Sequence, residues 1–131
     1  MDTERIIPVV VIKKLTDTEK TLEALRAYGI KKAEITFRTD CAEDAIRLAV
    51  KKFPDMEIGA GTVLTEAQCK CALAAGAKFI VSPGLSKHVA KVCKKHNVPY
   101  YPGCVTPTEI MKALSLGLTT LKFFPADIYG G

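Results

Sequence analysis

The chain alternates short apolar runs with amphipathic stretches, and this alternation constrains the fold more than any other feature of the sequence. Apolar runs of strand length begin near six residues: Ile6, Ala33, Ile58, Phe79, Pro99 and Thr120. The stretches between them predict helices over residues 17–28, 42–53, 66–75, 87–96 and 107–116. The period is about 20 to 26 residues, which is what a strand, a helix and two short loops require.

Residues suited to helix ends lie at the borders of these stretches. The predicted N-caps are Thr16, Asp40, Thr65, Ser86 and Thr106, and the predicted C-terminal glycines are Gly29, Gly76 and Gly117. Strand–helix alternation favours a parallel sheet with right-handed crossovers, which either opens into a doubly wound fold or closes into a barrel. No G-x-G-x-x-G follows the first strand, so a dinucleotide-binding fold has little support. We therefore expect one α/β domain over residues 1–131 that forms a parallel barrel, with about six strands and five helices present.

Charged side chains on two of the predicted strands point to the inside of such a barrel. In "AEITFR" the polar residues Glu34, Thr36 and Arg38 share one face, and the apolar residues share the other. In "TTLKFFP" Lys122 shares a face with Phe124. If the apolar faces contact the helices, a carboxylate, a guanidinium and an amine meet in one lumen.

Each of these charges also has a less specific interpretation. Lys122 is either covered only along its stem, with its head in water, or buried, where the neutral amine is favoured and is a nucleophile. Glu34 either serves a reaction or simply pairs with Lys122 or Arg38. Because buried ion pairs are poor stabilisers compared with apolar side chains, three ionisable groups in one lumen favour a functional site.

The chemistry that suits these groups is Schiff-base chemistry on a keto acid. The amine attacks a ketone, the iminium accepts the electrons of a neighbouring C–C bond, the carboxylate moves protons and the guanidinium holds a substrate carboxylate. "GAGTV" (59–63) contributes Thr62 and two glycines, which indicate either close backbone approach to a ligand or tight strand–helix packing. "SPG" (82–84) and "YPG" (101–103) predict turns at strand ends, with or without a role in the pocket.

Composition excludes several other classes of function. The net charge of +5 comes from scattered lysine pairs, without an aromatic-interleaved basic stripe, so we expect no nucleic-acid partner. The longest apolar run, residues 6–12, is too short for a membrane span, and the N-terminus does not resemble a signal peptide, so the cytoplasm is the default location. The five cysteines include no C-x-x-C pair, and the two histidines, eight residues apart in one predicted helix, lack a nearby ligand set. We therefore expect reduced thiols that fill space, and no metal or other cofactor.

Several long motifs resemble one known family. "GIKKAEITFR" and "GLTTLKFFPADIYG" resemble the signature segments of the 2-keto-3-deoxy-6-phosphogluconate / 4-hydroxy-2-oxoglutarate aldolases. "PVVVIKKL", "GAGTVL" and "VSPGL" fit the same family, and the resemblance covers the whole chain. A sister group that acts on the galactonate-derived substrate is also similar, but the intact "EITFR" favours the first family.

The resemblance implies a function and a set of site residues. It implies a class I aldolase, a cytoplasmic lyase of carbohydrate metabolism in the Entner–Doudoroff pathway, trimeric and free of metal, on a (β/α)8 barrel. By resemblance, Lys122 is the Schiff-base lysine and Glu34 the general acid/base. Arg38 and Thr62 would bind the pyruvate carboxylate, and Phe124 would pack on the bound pyruvyl group.

The sequence departs from this family in length. Six strands are present where the barrel has eight, and the segment that in the family supplies the phosphate-binding loops would follow residue 131. The alternative to an active aldolase is therefore an aldolase-derived chain that keeps the motifs but acts as a binding or assembly module. Six strands would also leave two edges unpaired, which predicts association with another chain.

Overall fold

The computed structural model describes residues 3–131, which form a curled sheet covered by helices on its outer side. In this range six parallel strands are adjacent in chain order: β1 (Val9–Val10), β2 (Lys32–Thr36), β3 (Glu57–Gly61), β4 (Ile80–Ser82), β5 (Tyr100–Cys104) and β6 (Lys122–Phe123). The α-helices between them are α1 (Thr18–Ala27), α2 (Ala42–Lys52), α3 (Glu66–Ala74), α4 (Lys87–Lys95) and α5 (Pro107–Ser115). The predicted parallel strand–helix alternation is confirmed.

The register of the sheet separates an outer apolar layer from an inner face that carries Glu34. Ile35 pairs with Ala60, Ala60 with Ile80, and Ile80 with Tyr100, and all four side chains are buried. These residues belong to the core between sheet and helices, which also contains Leu22 of α1 and Ile46 of α2. Because side chains alternate along a strand, the residues between them face the inside of the curl. Glu34 is one of these inward-facing residues.

The helix borders confirm three of the predicted N-caps and correct two. The hydroxyls of Thr65, Ser86 and Thr106 each accept a hydrogen bond from a backbone N–H in the first turn of their helix. The prediction for Thr16 is wrong, because a 3₁₀ turn (Leu15–Asp17) comes before α1. The prediction for Asp40 is also wrong, because α2 begins at Ala42 with Cys41 before it.

A contact between loops explains the shifted start of α2. The hydroxyl of Thr39 and the thiol of Cys41 both donate to the carbonyl oxygen of Ile12, at 2.7 and 3.1 Å. The loop after β2 is therefore tied to the end of the β1 segment, and its polar side chains are used there instead of at the helix end. At the other ends of the helices, Gly29, Gly76 and Gly117 have positive φ, as C-terminal glycines do.

Two further predictions about local structure need correction. Pro102 and Gly103 lie inside β5, so "YPG" is not a turn, whereas Pro83 and Gly84 do turn away after β4. The first strand begins at Val9 and not near Ile6. None of the helices within residues 3–131 is long and apolar enough to cross a membrane.

Candidate active site

The carboxyl group of Glu34 is the central polar group of the inner face. Its residue is only 4% exposed, and its register partner on β3 is Gly59. The carboxyl lies against Gly61, where any Cβ would overlap it. Oε1 of Glu34 is buried and makes no hydrogen bond with the part of the chain that the structure describes. A buried oxygen without a partner is costly, and active sites are one place where this cost is found.

The charge state of Glu34 is set by burial and by two cations. Burial raises the pKa of the Glu34 carboxyl, and the positive charges of Lys122 and Arg38 act in the opposite direction without cancelling the rise. The three ionisable groups predicted to share one lumen are therefore close enough to interact. A carboxyl with a raised pKa gives up and takes back a proton more easily near neutral pH, which suits general acid/base work.

Lys122 lies on the last strand and projects toward the same space. It is half-buried on β6, opposite Gly103 of β5 in the register. Its Nζ lies 4.5 Å from the centroid of the Phe124 ring, a cation–π distance. Phe123, between them in the sequence, is 48% exposed, so β6 is less enclosed than its apolar sequence predicts. The amine is covered on one side by the Phe124 ring and is not fully buried.

Arg38 and Thr62 meet at the carboxyl ends of β2 and β3. Nε of Arg38 donates a hydrogen bond to Oγ1 of Thr62 at 3.1 Å, and Arg38 is exposed. Thr62 has a φ of +53°, in the left-handed region that a β-branched residue rarely adopts. Backbone strain of this kind is found at active sites and ligand-binding sites, where the surrounding structure fixes the orientation of a functional side chain.

The glycines of "GAGTV" have a role that the sequence interpretation missed. Gly61 makes room for the carboxyl of Glu34, and Gly59 makes room for the ring of Phe79. The ring of Phe79 in turn packs at 5.8 Å from that of Tyr101. Side chains of neighbouring sheet segments fill the space, so the interpretation as strand–helix packing is wrong.

A second group of polar residues, which the sequence analysis did not identify, supports the loop after β4. The Tyr100 hydroxyl lies 2.5 Å from Oγ of Ser82 and accepts a hydrogen bond from the backbone N–H of Ser86 at 3.2 Å. The Ser82 hydroxyl also reaches the carbonyl oxygen of Gly84. The sequence contains a signal for this contact, because the hydroxyl of a tyrosine in a buried strand, here Tyr100, needs a hydrogen-bond partner. The segment "SPGLS" (82–86) contains two serines that could serve as partners.

Within residues 3–131 no three His, Cys, Asp or Glu side chains are grouped in a way that could hold a metal ion. The side chains of the site itself supply an amine, a carboxyl, a guanidinium and a hydroxyl group. The five residues that the sequence predicts for the site lie on the inner face of the sheet or at the carboxyl ends of its strands. They are Lys122, Glu34, Arg38, Thr62 and Phe124.

Comparison with known protein families decides the relationship of this chain. The family described as "KDPG and KHG aldolase" matches residues 1–131, the whole chain. The chain belongs to this family. The resemblance that the motifs indicate is thereby confirmed.

Individual members of the family are similar along nearly all of the chain. A 2-dehydro-3-deoxy-phosphogluconate aldolase of Treponema pallidum is 45% identical over 127 residues, and the KHG/KDPG aldolase of Escherichia coli K12 is 41% identical over 131 residues. These matches cover 97% and 100% of this chain but 60% and 62% of the relatives. The chain thus spans about three fifths of the length of the curated relatives it matches.

Solved structures of the family have the same fold. A KDPG aldolase of Legionella pneumophila, captured with pyruvate as a covalent carbinolamine intermediate, has a TM-score of 0.92 and 44% identity, over 95% of this chain and 61% of that one. A 2-keto-3-deoxy-6-phosphogluconate aldolase of Zymomonas mobilis has a TM-score of 0.90 and 40% identity, over 95% and 59%. The prediction of a TIM-barrel-type fold with six strands and five helices present is confirmed.

Proposed function

We propose that this protein is a class I aldolase that cleaves a 4-hydroxy-2-keto acid to pyruvate and an aldehyde. The substrates are 2-keto-3-deoxy-6-phosphogluconate, which yields glyceraldehyde 3-phosphate, and 4-hydroxy-2-oxoglutarate, which yields glyoxylate. Family membership supports this substrate class. The observation that carries the proposal is the buried Glu34 carboxyl under the joint influence of the Lys122 and Arg38 charges.

Lys122 is the nucleophile in this proposal. Its Nζ attacks the C2 ketone to form a carbinolamine, which loses water to become an imine. Cleavage of the C3–C4 bond then releases the aldehyde as the C4 hydroxyl loses its proton, and the bonding electrons move into the iminium to form an enamine. Protonation at C3 gives the pyruvate imine, and water releases pyruvate and the free amine. The carbinolamine captured in the Legionella relative is the first intermediate of such a sequence.

Glu34 moves the protons of these steps. Its carboxyl is raised in pKa by burial, and Oε1 has no partner among the described residues that would compete with a substrate. Proton transfer by a positioned carboxyl typically contributes about 10²–10⁴-fold to a rate. The positive charges of Lys122 and Arg38 stabilise the carboxylate of Glu34 and attract the carboxylate of an anionic keto acid.

Arg38, Thr62 and Phe124 bind the pyruvyl part of the substrate in this proposal. A guanidinium binds a carboxylate through two parallel hydrogen bonds, and the bond from Arg38 Nε to Thr62 holds the guanidinium in place. The Phe124 ring, which already covers Nζ of Lys122, is placed to contact the group attached to that nitrogen.

Assembly and location complete the proposal. By resemblance to the family, the protein is a homotrimer in the cytoplasm, with a keto acid as its only ligand and no metal or cofactor. All five cysteines are free thiols, which fits a reducing compartment.

Pyruvate release tests the proposed function. Both substrates are incubated with the wild type, with Lys122→Arg and with Lys112→Arg, a control on the exposed side of α5. Arginine keeps the charge but does not form the imine, so Lys122→Arg should release no pyruvate above background, whereas Lys112→Arg should match the wild type. Pyruvate release by Lys122→Arg at the wild-type rate, or none by the wild type on either substrate, would overturn the proposal.

A further inference from the structure

Two buried cysteines from neighbouring helices are in contact. Cys69 of α3 and Cys93 of α4 are 0% and 1% exposed, and their sulfur atoms lie 3.7 Å apart. The other three thiols have different surroundings: that of Cys41 donates to Ile12, that of Cys104 lies 4.0 Å from the carbonyl oxygen of Glu109, and Cys71 is exposed. Cys69 and Cys93 are the cysteine pair in sulfur–sulfur contact in the described chain.

We propose that Cys69 and Cys93 are a modification site, where a small peroxide converts the two thiols to an intramolecular disulfide. A disulfide has a sulfur–sulfur distance of about 2.05 Å, so the two atoms have to approach each other by roughly 1.7 Å. Each cysteine lies on a regular helix, and a rotation about its Cα–Cβ bond moves the sulfur without moving the backbone. The inference does not depend on the proposed aldolase activity.

The surroundings of the pair indicate which sulfur reacts first, and a cavity lies against its partner. The hydrogen bond from Cys93 lowers the pKa of the Cys69 thiol, which marks Cys69 as the one that ionises first. The same bond, together with burial, raises the pKa of the Cys93 thiol, which keeps its proton. Cys93 also forms part of the wall of a cavity of about 400 Å³ between α4 and the segment before β6. Hydrogen peroxide is small enough to enter this cavity, which Cys93 lines and Cys69 does not. From this side peroxide reaches Cys69 only by passing Cys93, whose sulfur lies 3.7 Å from that of Cys69.

The reaction balances with peroxide as the only oxidant. The Cys69 thiolate attacks one peroxide oxygen, the O–O bond breaks, and the products are a sulfenic acid and hydroxide, which takes up a proton to become water. The sulfur of Cys93 then attacks the sulfenic sulfur and loses its proton, and the hydroxide that leaves becomes a second water. Two thiols and one hydrogen peroxide thus give one disulfide and two waters.

The cross-link would tie α3 to α4 around β4. The closed loop from Cys69 to Cys93 contains β4 and the loop after it, which Tyr100 holds through Ser82 and Ser86. A disulfide that closes a loop of this length restricts the unfolded chain and so stabilises the folded one. Oxidation should therefore raise the melting temperature while the thiols outside the pair stay reduced or react separately.

The sequence makes the test direct, because trypsin places each cysteine on its own peptide. The peptides are residues 39–47, 53–70, 71–78, 92–94 and 96–112. The folded chain is treated with hydrogen peroxide, the remaining thiols are alkylated, and the unfolded chain is digested without reductant. We expect peptides 53–70 and 92–94 to appear joined, two hydrogens lighter than their sum, and to separate on reduction.

Two variants complete the test. Cys93→Ser should form no such pair, should give a sulfenic acid on peptide 53–70 that dimedone traps, and should lose the rise in melting temperature on oxidation. Cys104→Ser, which keeps the pair, should behave like the wild type. Joined peptides absent at a peroxide dose that fully oxidises exposed Cys71, or Cys69 joined mainly to another cysteine, would overturn the inference.

Discussion

The carboxyl group of Glu34 occupies the space that a side chain at residue 61 would fill. Gly61 does not need its conformational freedom for a turn, since it lies within β3 and its φ is not positive. It is required because the carboxyl of the neighbouring strand lies against its Cα. The proposed acid/base group can therefore occupy its position only because the neighbouring strand has a glycine at residue 61.

This contact predicts that Gly61→Ala damages the site. The added methyl has to displace Glu34, and overpacking of this kind costs about 1–3 kcal/mol of stability. We expect a lower melting temperature and slower exchange of the pyruvate methyl protons in deuterated water. Gly84→Ala is the matched control, because a Cβ at residue 84 has open space around it. Equal behaviour of the two variants would show that Glu34 does not depend on this contact.

Glu34→Gln separates proton transfer from imine formation. The amide is close in shape to the carboxyl but does not act as a general acid or base near neutral pH. The imine should therefore still form, while exchange of the pyruvate methyl protons slows by about 10²–10⁴-fold. NMR of pyruvate in deuterated water measures this rate. Exchange at the wild-type rate would assign the proton transfers to another group.

The same variant predicts a pH dependence of stability. Because the pKa of Glu34 is higher in the folded chain than its ordinary value of 4.5, the folded chain binds more protons between the two values. Stability attributable to Glu34 is thus present below pH 4.5 and is lost as the pH rises toward the folded-state pKa. Glu34→Gln should melt at a higher temperature than the wild type at pH 7, and the difference should shrink toward pH 4. A difference that grows on acidification would contradict the raised pKa.

The alternation of strands and helices could be predicted from the sequence because the patterns are local. Apolar runs, N-cap hydroxyls such as that of Thr106, and C-terminal glycines such as Gly117 each depend on a few neighbouring residues. The failures come from contacts between segments distant in sequence. Thr39 and Cys41 donate hydrogen bonds to the carbonyl oxygen of Ile12, and α2 starts later than predicted. Gly103 lies against the carbonyl oxygen of Pro83 and is part of β5, where the sequence predicts a turn.

For the site, the residue types and their shared face were predictable and the packing around them was not. Alternation along β2 puts Glu34, Thr36 and Arg38 on one face, and this needs only the period of a strand. Two contacts depend on strand register, which the sequence does not show directly. They are the contact of the Glu34 carboxyl with Gly61 and the hydrogen bonds between Tyr100 and the loop after β4.

Arg38→Lys should weaken the binding of pyruvate. A single ammonium replaces a two-bond grip on the carboxylate, and one hydrogen bond to a charged group is worth about 1.5–3 kcal/mol, or roughly ten-fold or more in affinity. The pyruvate concentration that gives half-maximal covalent trapping measures the change. Arg47→Lys, on the exposed side of α2, is the control. An unchanged half-maximal concentration in Arg38→Lys would make Arg38 a structural partner of Glu34.

Tyr100→Phe should destabilise the fold through the loop after β4. Without the hydroxyl, Ser82 and the N–H of Ser86 lose a buried partner, which costs about 1–3 kcal/mol. Tyr101→Phe is the neighbouring control, since the ring of Tyr101 contacts Phe79 and that contact survives the change. Urea unfolding measures the free energy of unfolding of both variants. Equal urea midpoints would show that the Tyr100 hydroxyl does not stabilise the loop after β4.

Covalent trapping on Lys122 is the most direct test of the central claim that this amine forms the imine. The chain is incubated with pyruvate, reduced with borohydride, digested and mapped by mass spectrometry. We predict one added propanoate group, confined to the peptide that contains Lys122 and absent from the Lys122→Arg variant. An adduct on a different lysine, or no adduct at saturating pyruvate, would contradict the assignment of Lys122.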